Sequence, residues 1–293
     1  MKGSKFYIVD VFGQSRFTGN QLAVFTNGED FSDEEMQALT DEINFSETTF
    51  VLPKESKDNT FKVRIFVPGS EIPFAGHPTL GTAYVIQKYM LENKQEKLIL
   101  DLKAGLIPVT IDYRDNEIDL LTMKQNQPEF GETFDTEKIK KVINTDEIDS
   151  DFPIEAVSTG IKFILIPLNS LQAIQNVNID VDKLKQLLEE DDYMGIFLFT
   201  RETYKSENDI NCRMFCYFKG LIEDPVTGSA NGCMLAYMLK NNYFNSSSIN
   251  IKVEQGWEIS RNGMLYLRGE KRENEYDLFV GGRVFPVSEG KLL

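Results

Sequence analysis

Two stretches of the chain are apolar on nearly every side at helical spacing. One runs through Tyr84, Val85, Ile86 and Met90, and the other is Cys233-Met234-Leu235-Ala236-Tyr237-Met238-Leu239. Each gives way to polar residues, Gln87-Lys88 and Lys240-Asn241-Asn242. A helix with no solvent face belongs inside its own layer of structure. The sequence around both helices is strand-like: Phe6–Phe12, Gln21–Phe25, Phe61–Val67 and Leu98–Leu102 around the first, Phe163–Leu168, Ile196–Thr200, Arg213–Phe218, Ile249–Val253 and Leu265–Arg268 around the second. Phe61, Val63 and Ile65 alternate with Lys62 and Arg64, the period of a half-buried strand. The pattern predicts an internal duplication, two curved sheets each wrapped around one helix, although no residue-by-residue repeat is visible. We place the halves at 1–124 and 125–293, with 284–293 a candidate to complete the first.

The start of each buried helix carries the candidate chemistry. The single histidine, His77, lies in Ile72-Pro73-Phe74-Ala75-Gly76-His77-Pro78-Thr79-Leu80-Gly81. Proline is favoured at the first helical position, so His77 reads as an N-cap among free backbone N–H groups. A capping or packed histidine is the commoner role in such a turn. The second helix is preceded in the same way by Glu223-Asp224-Pro225-Val226-Thr227-Gly228-Ser229-Ala230-Asn231-Gly232, with glycine and small polar residues just ahead of the apolar run. A third segment, Asn44-Phe45-Ser46-Glu47-Thr48-Thr49-Phe50, links a helix over Ser32–Ile43 to a strand. Taken locally, Glu47 reads first as a solvated carboxylate. Between Phe45 and Phe50 it is also a candidate for partial desolvation, which tunes a carboxyl group for proton transfer.

Composition narrows the function. At 293 residues with 41% hydrophobic content the chain can bury two cores. A net charge of −15 without a basic stripe argues against nucleic acid. The acidic runs Ser32-Asp33-Glu34-Glu35 and Glu189-Glu190-Asp191-Asp192 read as solvated helix faces, and Ser32 with Glu35 forms a capping box. No apolar run approaches the roughly 18 residues of a membrane span, and no signal segment opens the chain, so we expect a soluble cytoplasmic protein. Three cysteines, Cys212, Cys216 and Cys233, and one histidine make neither a metal site of known spacing nor a disulfide framework. Cys233, read as lying in the first turn of the second buried helix, could have its thiol pKa depressed there. Core packing is the preferred reading for it.

Several segments together resemble one family. Phe17-Thr18-Gly19-Asn20-Gln21-Leu22-Ala23-Val24, Asn44-Phe45-Ser46-Glu47-Thr48, Arg64-Ile65-Phe66, the stretch from Glu71 to Gly81, Arg213-Met214-Phe215 and Glu223 to Ala230 occur in the order and spacing of the phenazine-biosynthesis PhzF-like proteins. Ser158-Thr159-Gly160 and Glu254-Gln255-Gly256 continue the match. The resemblance implies an α+β, diaminopimelate epimerase-like fold. In it, two similar domains each wrap a barrel-like, mostly antiparallel sheet around a central helix, with the active site in the cleft between them. It further implies a homodimer, and a cofactor-independent isomerase whose best-understood member acts on trans-2,3-dihydro-3-hydroxyanthranilate. Carried over by motif, the catalytic residues are Glu47, His77 and Asp224, and the substrate-binding residues are Gly76, Gly228 and Ser229.

Two converging helix N-termini would seat a substrate carboxylate even on an acidic protein. Glu47 is then the candidate to take a proton from one carbon and return it to another, with His77 and Asp224 orienting polar groups. We expect no metal, nicotinamide or flavin, since no Gly-x-Gly-x-x-Gly or Gly-Lys-Ser/Thr loop is present to hold a nucleotide. The expected activity is an isomerase moving a proton within a small carboxylate-bearing substrate. An amino-acid epimerase or racemase of the same fold and a non-catalytic small-molecule-binding protein are the alternatives. The epimerases of this fold use a cysteine at each helix start, where this chain has Gly76-His77 and Gly228-Ser229.

Overall fold

The computed structural model describes residues 3–53, 59–218, 221–273 and 275–293. The chain divides into two compact units, Met1–Lys124 with Gly281–Leu293, and Gln125–Val280.

In the first unit β1 (Lys5–Val11) runs antiparallel to β2 (Asn20–Phe25). Helix α1 (Asp33–Ile43) leads to β3 (Thr48–Val51), which is parallel to β2. Strand β4 (Thr60–Val67) pairs antiparallel with β3 and with the short β5 (Ser70–Ile72). From β5 the chain enters α2 (Gly76–Val85), continued by a π-helical turn at Ile86–Met90. Strand β6 (Lys97–Leu102) then lies parallel to β4, and β7 (Gly105–Arg114) and β8 (Glu117–Lys124) continue as antiparallel hairpins.

The second unit has β9 (Glu129–Thr133), α3 (Thr136–Ile143) and β10 (Glu155–Ser158), with β10 antiparallel to β9. It goes on through β11 (Lys162–Pro167), α4 (Leu171–Gln175), α5 (Val181–Glu189) and β12 (Gly195–Thr200). Next come β13 (Ile210–Phe218), β14 (Leu221–Asp224), α6 (Gly228–Lys240), β15 (Ser248–Gln255), β16 (Gly263–Arg272) and β17 (Glu275–Gly282). The last strand, β18 (Val284–Lys291), returns to the first unit and pairs antiparallel with β1, from Lys5 opposite Lys291 to Val11 opposite Val284. The second unit therefore ends at Val280 and not at 293.

The two units share one topology. From β18 and β1 to β7 the ladder is antiparallel, antiparallel, parallel, antiparallel, parallel, antiparallel. From β9 and β10 to β16 the succession is the same, and β18 occupies in the first unit the place that β9 holds in the second. In each unit a hairpin, β4–β5 or β13–β14, delivers the chain to the buried helix. The sheet wraps that helix. Helix α2 packs against β1, β2, β3, β6, β7, β8 and β18, and α6 against β10, β11, β15 and β16.

The expected strands were legible because their apolar positions alternate or run continuously, and each lies within a few residues of its predicted bounds. Those missing from the expectation are mostly amphipathic at the surface. In strand β7, Ile107, Val109, Ile111 and Tyr113 alternate with Pro108, Thr110 and Asp112, but only Val109 and Ile111 are buried.

The loop joining β1 to β2 is closed by Gly19, whose φ of +74° is left-handed. A Cβ there would stand 2.3 Å from the Val11 carbonyl oxygen and 2.5 Å from the Gly13 nitrogen, both backbone atoms that cannot swing away. We therefore expect Gly19→Ala to destabilise the chain by at least ~2 kcal/mol, combining the clash with the backbone penalty. A urea midpoint equal to the parent's would show that this loop relaxes at no cost.

Candidate active site

All ten residues of α2 are buried, as are Gly228–Leu239 of α6, so neither helix has a solvent face. Their starts differ from those of the other α-helices among the described residues. Ser32, Asp135, Ser170 and Asp180 cap α1, α3, α4 and α5 by accepting a backbone N–H, and Ser32 with Glu35 completes the capping box. Helix α2 begins at Ala75 and α6 at Thr227, and neither side chain makes a capping bond. First-turn N–H groups have no partner within their own helix, and the helix dipole makes that end positive. Gly76 and His77 in the first unit, and Gly228 and Ser229 in the second, occupy those turns.

His77 is therefore not the N-cap that its proline suggested. Ala75 caps the helix and His77 is its second residue. Pro78 is tolerated at the third position because no first-turn N–H is needed for the helical ladder. This places the imidazole over the helix start. Its side chain is 5% exposed, and Nε2 lies 3.4 Å from Glu47 Oε2, whose own side chain is 16% exposed. Glu47 comes directly before β3, between the partly buried Phe45 and the fully buried Phe50. The hydroxyls of Thr49 and Thr82, 2.8 Å apart and fully buried, tie β3 to α2 and so fix Glu47 against His77. Burial pushes the His77 pKa down to about 3, opposed by a hydrogen bond with the Gln21 backbone, so the imidazole is neutral at ordinary pH.

In the second unit Asp224 ends β14 and accepts a short hydrogen bond from the Thr227 hydroxyl. Ser229 is 8% exposed at the helix start. The structure thus groups Glu47, Gly76 and His77 in one unit and Asp224, Gly228 and Ser229 in the other.

The hairpins feeding the two helices carry a repeat that sequence reading missed. Arg64 grips Glu71 through Nε to Oε1 at 2.9 Å and Nη2 to Oε2 at 3.1 Å. Arg213 grips Glu223 through the same atoms at 2.8 and 2.7 Å. Each guanidinium also lies over a phenylalanine two residues on, Phe66 at 5.0 Å and Phe215 at 4.6 Å. The shared signal is Arg-x-Phe followed by Glu-x-Pro-x-x-Gly, at Glu71 to Gly76 and Glu223 to Gly228. Unequal hairpins hide it, since the paired Arg and Glu are 7 residues apart in one unit and 10 in the other. These bidentate pairs hold the hairpins at a set angle to the helices they feed. The Arg64 pairing keeps Glu71 below the usual carboxylate range.

The cysteines are packed thiols. Cys233 lies in the second turn of α6, not the first, and contacts the Thr159 hydroxyl and the Ile161 carbonyl at 3.6 Å. Burial pushes its pKa up to about 12 and that of Cys212 well above the ordinary thiol value. Among the described residues no three His, Cys, Asp or Glu side chains are arranged to hold a metal ion. No helix there is long and apolar enough to cross a membrane.

The neutral, buried His77 sets an acid limit on stability. Its folded pKa of about 3 lies below the value of 6.5 expected when unfolded, so the unfolded chain takes up a proton that the folded chain refuses. The stability from neutral His77 is complete above pH 6.5 and is lost as pH falls from there toward 3, at up to about 1.4 kcal/mol per pH unit. Urea unfolding of the wild type and His77→Gln across pH 4–7 should show the variant's stability falling less steeply with acid. Parallel curves would place the imidazole in a wetter site than the structure shows.

The family model described as "Phenazine biosynthesis-like protein" matches residues 9–290. An uncharacterised isomerase of Bacillus subtilis, YfhB, is 35% identical over 90% of this chain and 89% of its own length. The trans-2,3-dihydro-3-hydroxyanthranilate isomerase of Pseudomonas aeruginosa is 30% identical over 98% of both chains. A PhzF-family crystal structure from Bacillus anthracis superposes with a TM-score of 0.90 at 28% identity, covering 100% of each chain. The chain is an isomerase by this kinship. Its match to the family model over nearly its whole length makes it a member of the phenazine biosynthesis-like, or PhzF, family.

Proposed function

We propose that this isomerase moves a proton between carbons of a small carboxylate-bearing substrate, cyclic or amino acid-like, without a cofactor, and that Glu47 carries the proton. The observation supporting this most directly is the 3.4 Å approach of Glu47 to a buried, neutral His77 at an uncapped helix start. With the imidazole neutral, the Glu47 carboxyl is the group left to take a proton from one carbon and return it to another. A neutral imidazole beside it can share a hydrogen bond with that carboxyl group without adding charge to the site.

The starts of α2 and α6, which lack a side-chain cap, each favour an anion, since first-turn N–H groups carry partial positive charge. We assign Gly76, Gly228 and Ser229 to that contact and Asp224 to a donor group of the substrate, an amine or hydroxyl. Racemisation by two thiols finds no support, because His77 and Ser229 stand at the helix starts and Cys233 is a buried, protonated thiol. The reading includes a homodimer in the cytoplasm. Phe17, Tyr89 and Met90 offer exposed apolar surface for such pairing, and a strictly monomeric mass in sedimentation at micromolar concentration would remove it.

The decisive assay is deuterium wash-in from heavy water. The first probe is trans-2,3-dihydro-3-hydroxyanthranilate, the compound named for the Pseudomonas relative. A panel of amino acids and cyclohexadiene carboxylates follows. On whichever compound exchanges, Glu47→Gln should lower the rate by at least ~100-fold while binding persists, the scale of losing a general acid–base group. Near-normal exchange in Glu47→Gln, with exchange abolished in Asp224→Asn, would move the proton carrier to the second unit.

A further inference from the structure

Gln255 ends β15 and is fully buried. Its amide makes five hydrogen bonds: Oε1 accepts one from Cys212 Sγ at 3.8 Å, and the other four go to the segment around Asp224 and the start of α6. Oε1 accepts from the Thr227 backbone N–H at 3.0 Å and from Asn231 Nδ2 at 3.0 Å. Nε2 donates to the Asp224 carbonyl at 3.2 Å and to Thr227 Oγ1 at 3.1 Å. The amide's orientation is fixed by chemistry, since a backbone N–H must meet its oxygen and a backbone carbonyl its NH2 group. The Thr227 hydroxyl has one proton. With Gln255 donating to its oxygen, that proton is directed to Asp224 Oδ2, the bond the structure records.

Among the described residues the first unit shows no such device. Its cap is Ala75, without a hydroxyl, and the chain ahead of α2 is held by a backbone bond from Ala104 N–H to the Pro73 carbonyl at 3.1 Å. The polar relay therefore belongs to one copy of a duplicated frame. The frame itself, Arg–Glu clamp, proline and glycine, is common to both.

We propose that Gln255 is a positioning residue for Asp224: through the Thr227 hydroxyl it aims a donor at the Asp224 carboxylate, holding it in one rotamer with its acceptor capacity presented to the substrate. This rests on the reading of Asp224 as a substrate contact. Gln255 acts through Thr227 and touches no substrate itself. A role confined to stability would leave Asp224 and its neighbours equally affected by its loss.

Carbodiimide coupling with glycinamide, read residue by residue by peptide mass spectrometry, measures carboxyl reactivity without any substrate. Gln255→Leu should raise coupling at Asp224 about tenfold, the scale of a lost hydrogen bond to a charged group, and leave Glu223 in its Arg213 clamp unchanged. Thr227→Val should reach the same end by removing the other member. Should Gln255→Leu fail to fold, Thr227→Val carries the test alone. The double variant should add nothing, as expected of groups acting in series, and Thr227→Ser, which keeps the hydroxyl, should label like the wild type.

Equal rises at Glu223 and Asp224, or unchanged labelling of Asp224, would overturn the proposal. In the wash-in assay Gln255→Leu should raise KM at least tenfold with a smaller change in kcat. A loss confined to kcat would also overturn it. If no probe exchanges in the wild type while the labelling pattern holds, the relay stands and the isomerase reading of the site falls.

Discussion

The burial of two helices on every side is the constraint from which the rest follows. A surface helix settles its first-turn N–H groups with water and a capping side chain, as α1, α3, α4 and α5 do. A helix enclosed by its own sheet has neither option along its length. Side chains such as Leu80, Val85 and Ile86, or Leu235 and Leu239, each contribute roughly 1.5–3 kcal/mol by leaving water. The backbone donors at the helix start gain nothing from that burial. Leaving the caps at Ala75 and Thr227 without a side-chain bond concentrates unsatisfied positive ends where the candidate residues stand.

Each unit aims its helix with the same parts. An Arg–Glu clamp holds the hairpin, a proline shapes the approach, and glycine begins the helix. The copies then diverge around that frame. The first unit places a carboxylate against a neutral imidazole. The second uses a carboxylate steadied by a hydroxyl and an amide. Duplication explains why both exist, and divergence explains why the polar groups around the two helix starts differ.

What the sequence made legible follows from the kind of signal involved. The buried helices and central strands were readable because burial writes itself as continuous or alternating apolar residues. The roles of Glu47, His77 and Asp224 came from motif resemblance, because a side chain's role depends on neighbours that local sequence does not name. Glu47 illustrates the gap: its own segment reads as solvated surface, and only the fold brings His77 to 3.4 Å. The helix starts were misjudged by one or two residues for a related reason. Pro78 is compatible with any first-turn position, so it could not say whether His77 or Ala75 was the cap. The role of Gln255 could not be weighed in advance, since its partners lie 24 to 43 residues away.

The chain's net charge of −15 opposes the proposed binding of an anion, and magnitudes resolve the conflict. Surface carboxylates act through water and are screened within about 8 Å at physiological salt. Many are also paired locally, as Asp33 and Glu71 are by Arg64. A helix start acts at hydrogen-bond distance with roughly half a unit charge, and in a buried setting it is screened far less. The same enclosure suppresses protonation of His77, so no fixed cation is added there to compete as a permanent partner for the ligand's carboxylate. On the proposed reading, binding rests on oriented N–H groups, which favour an anion locally without making the whole surface attractive to anions.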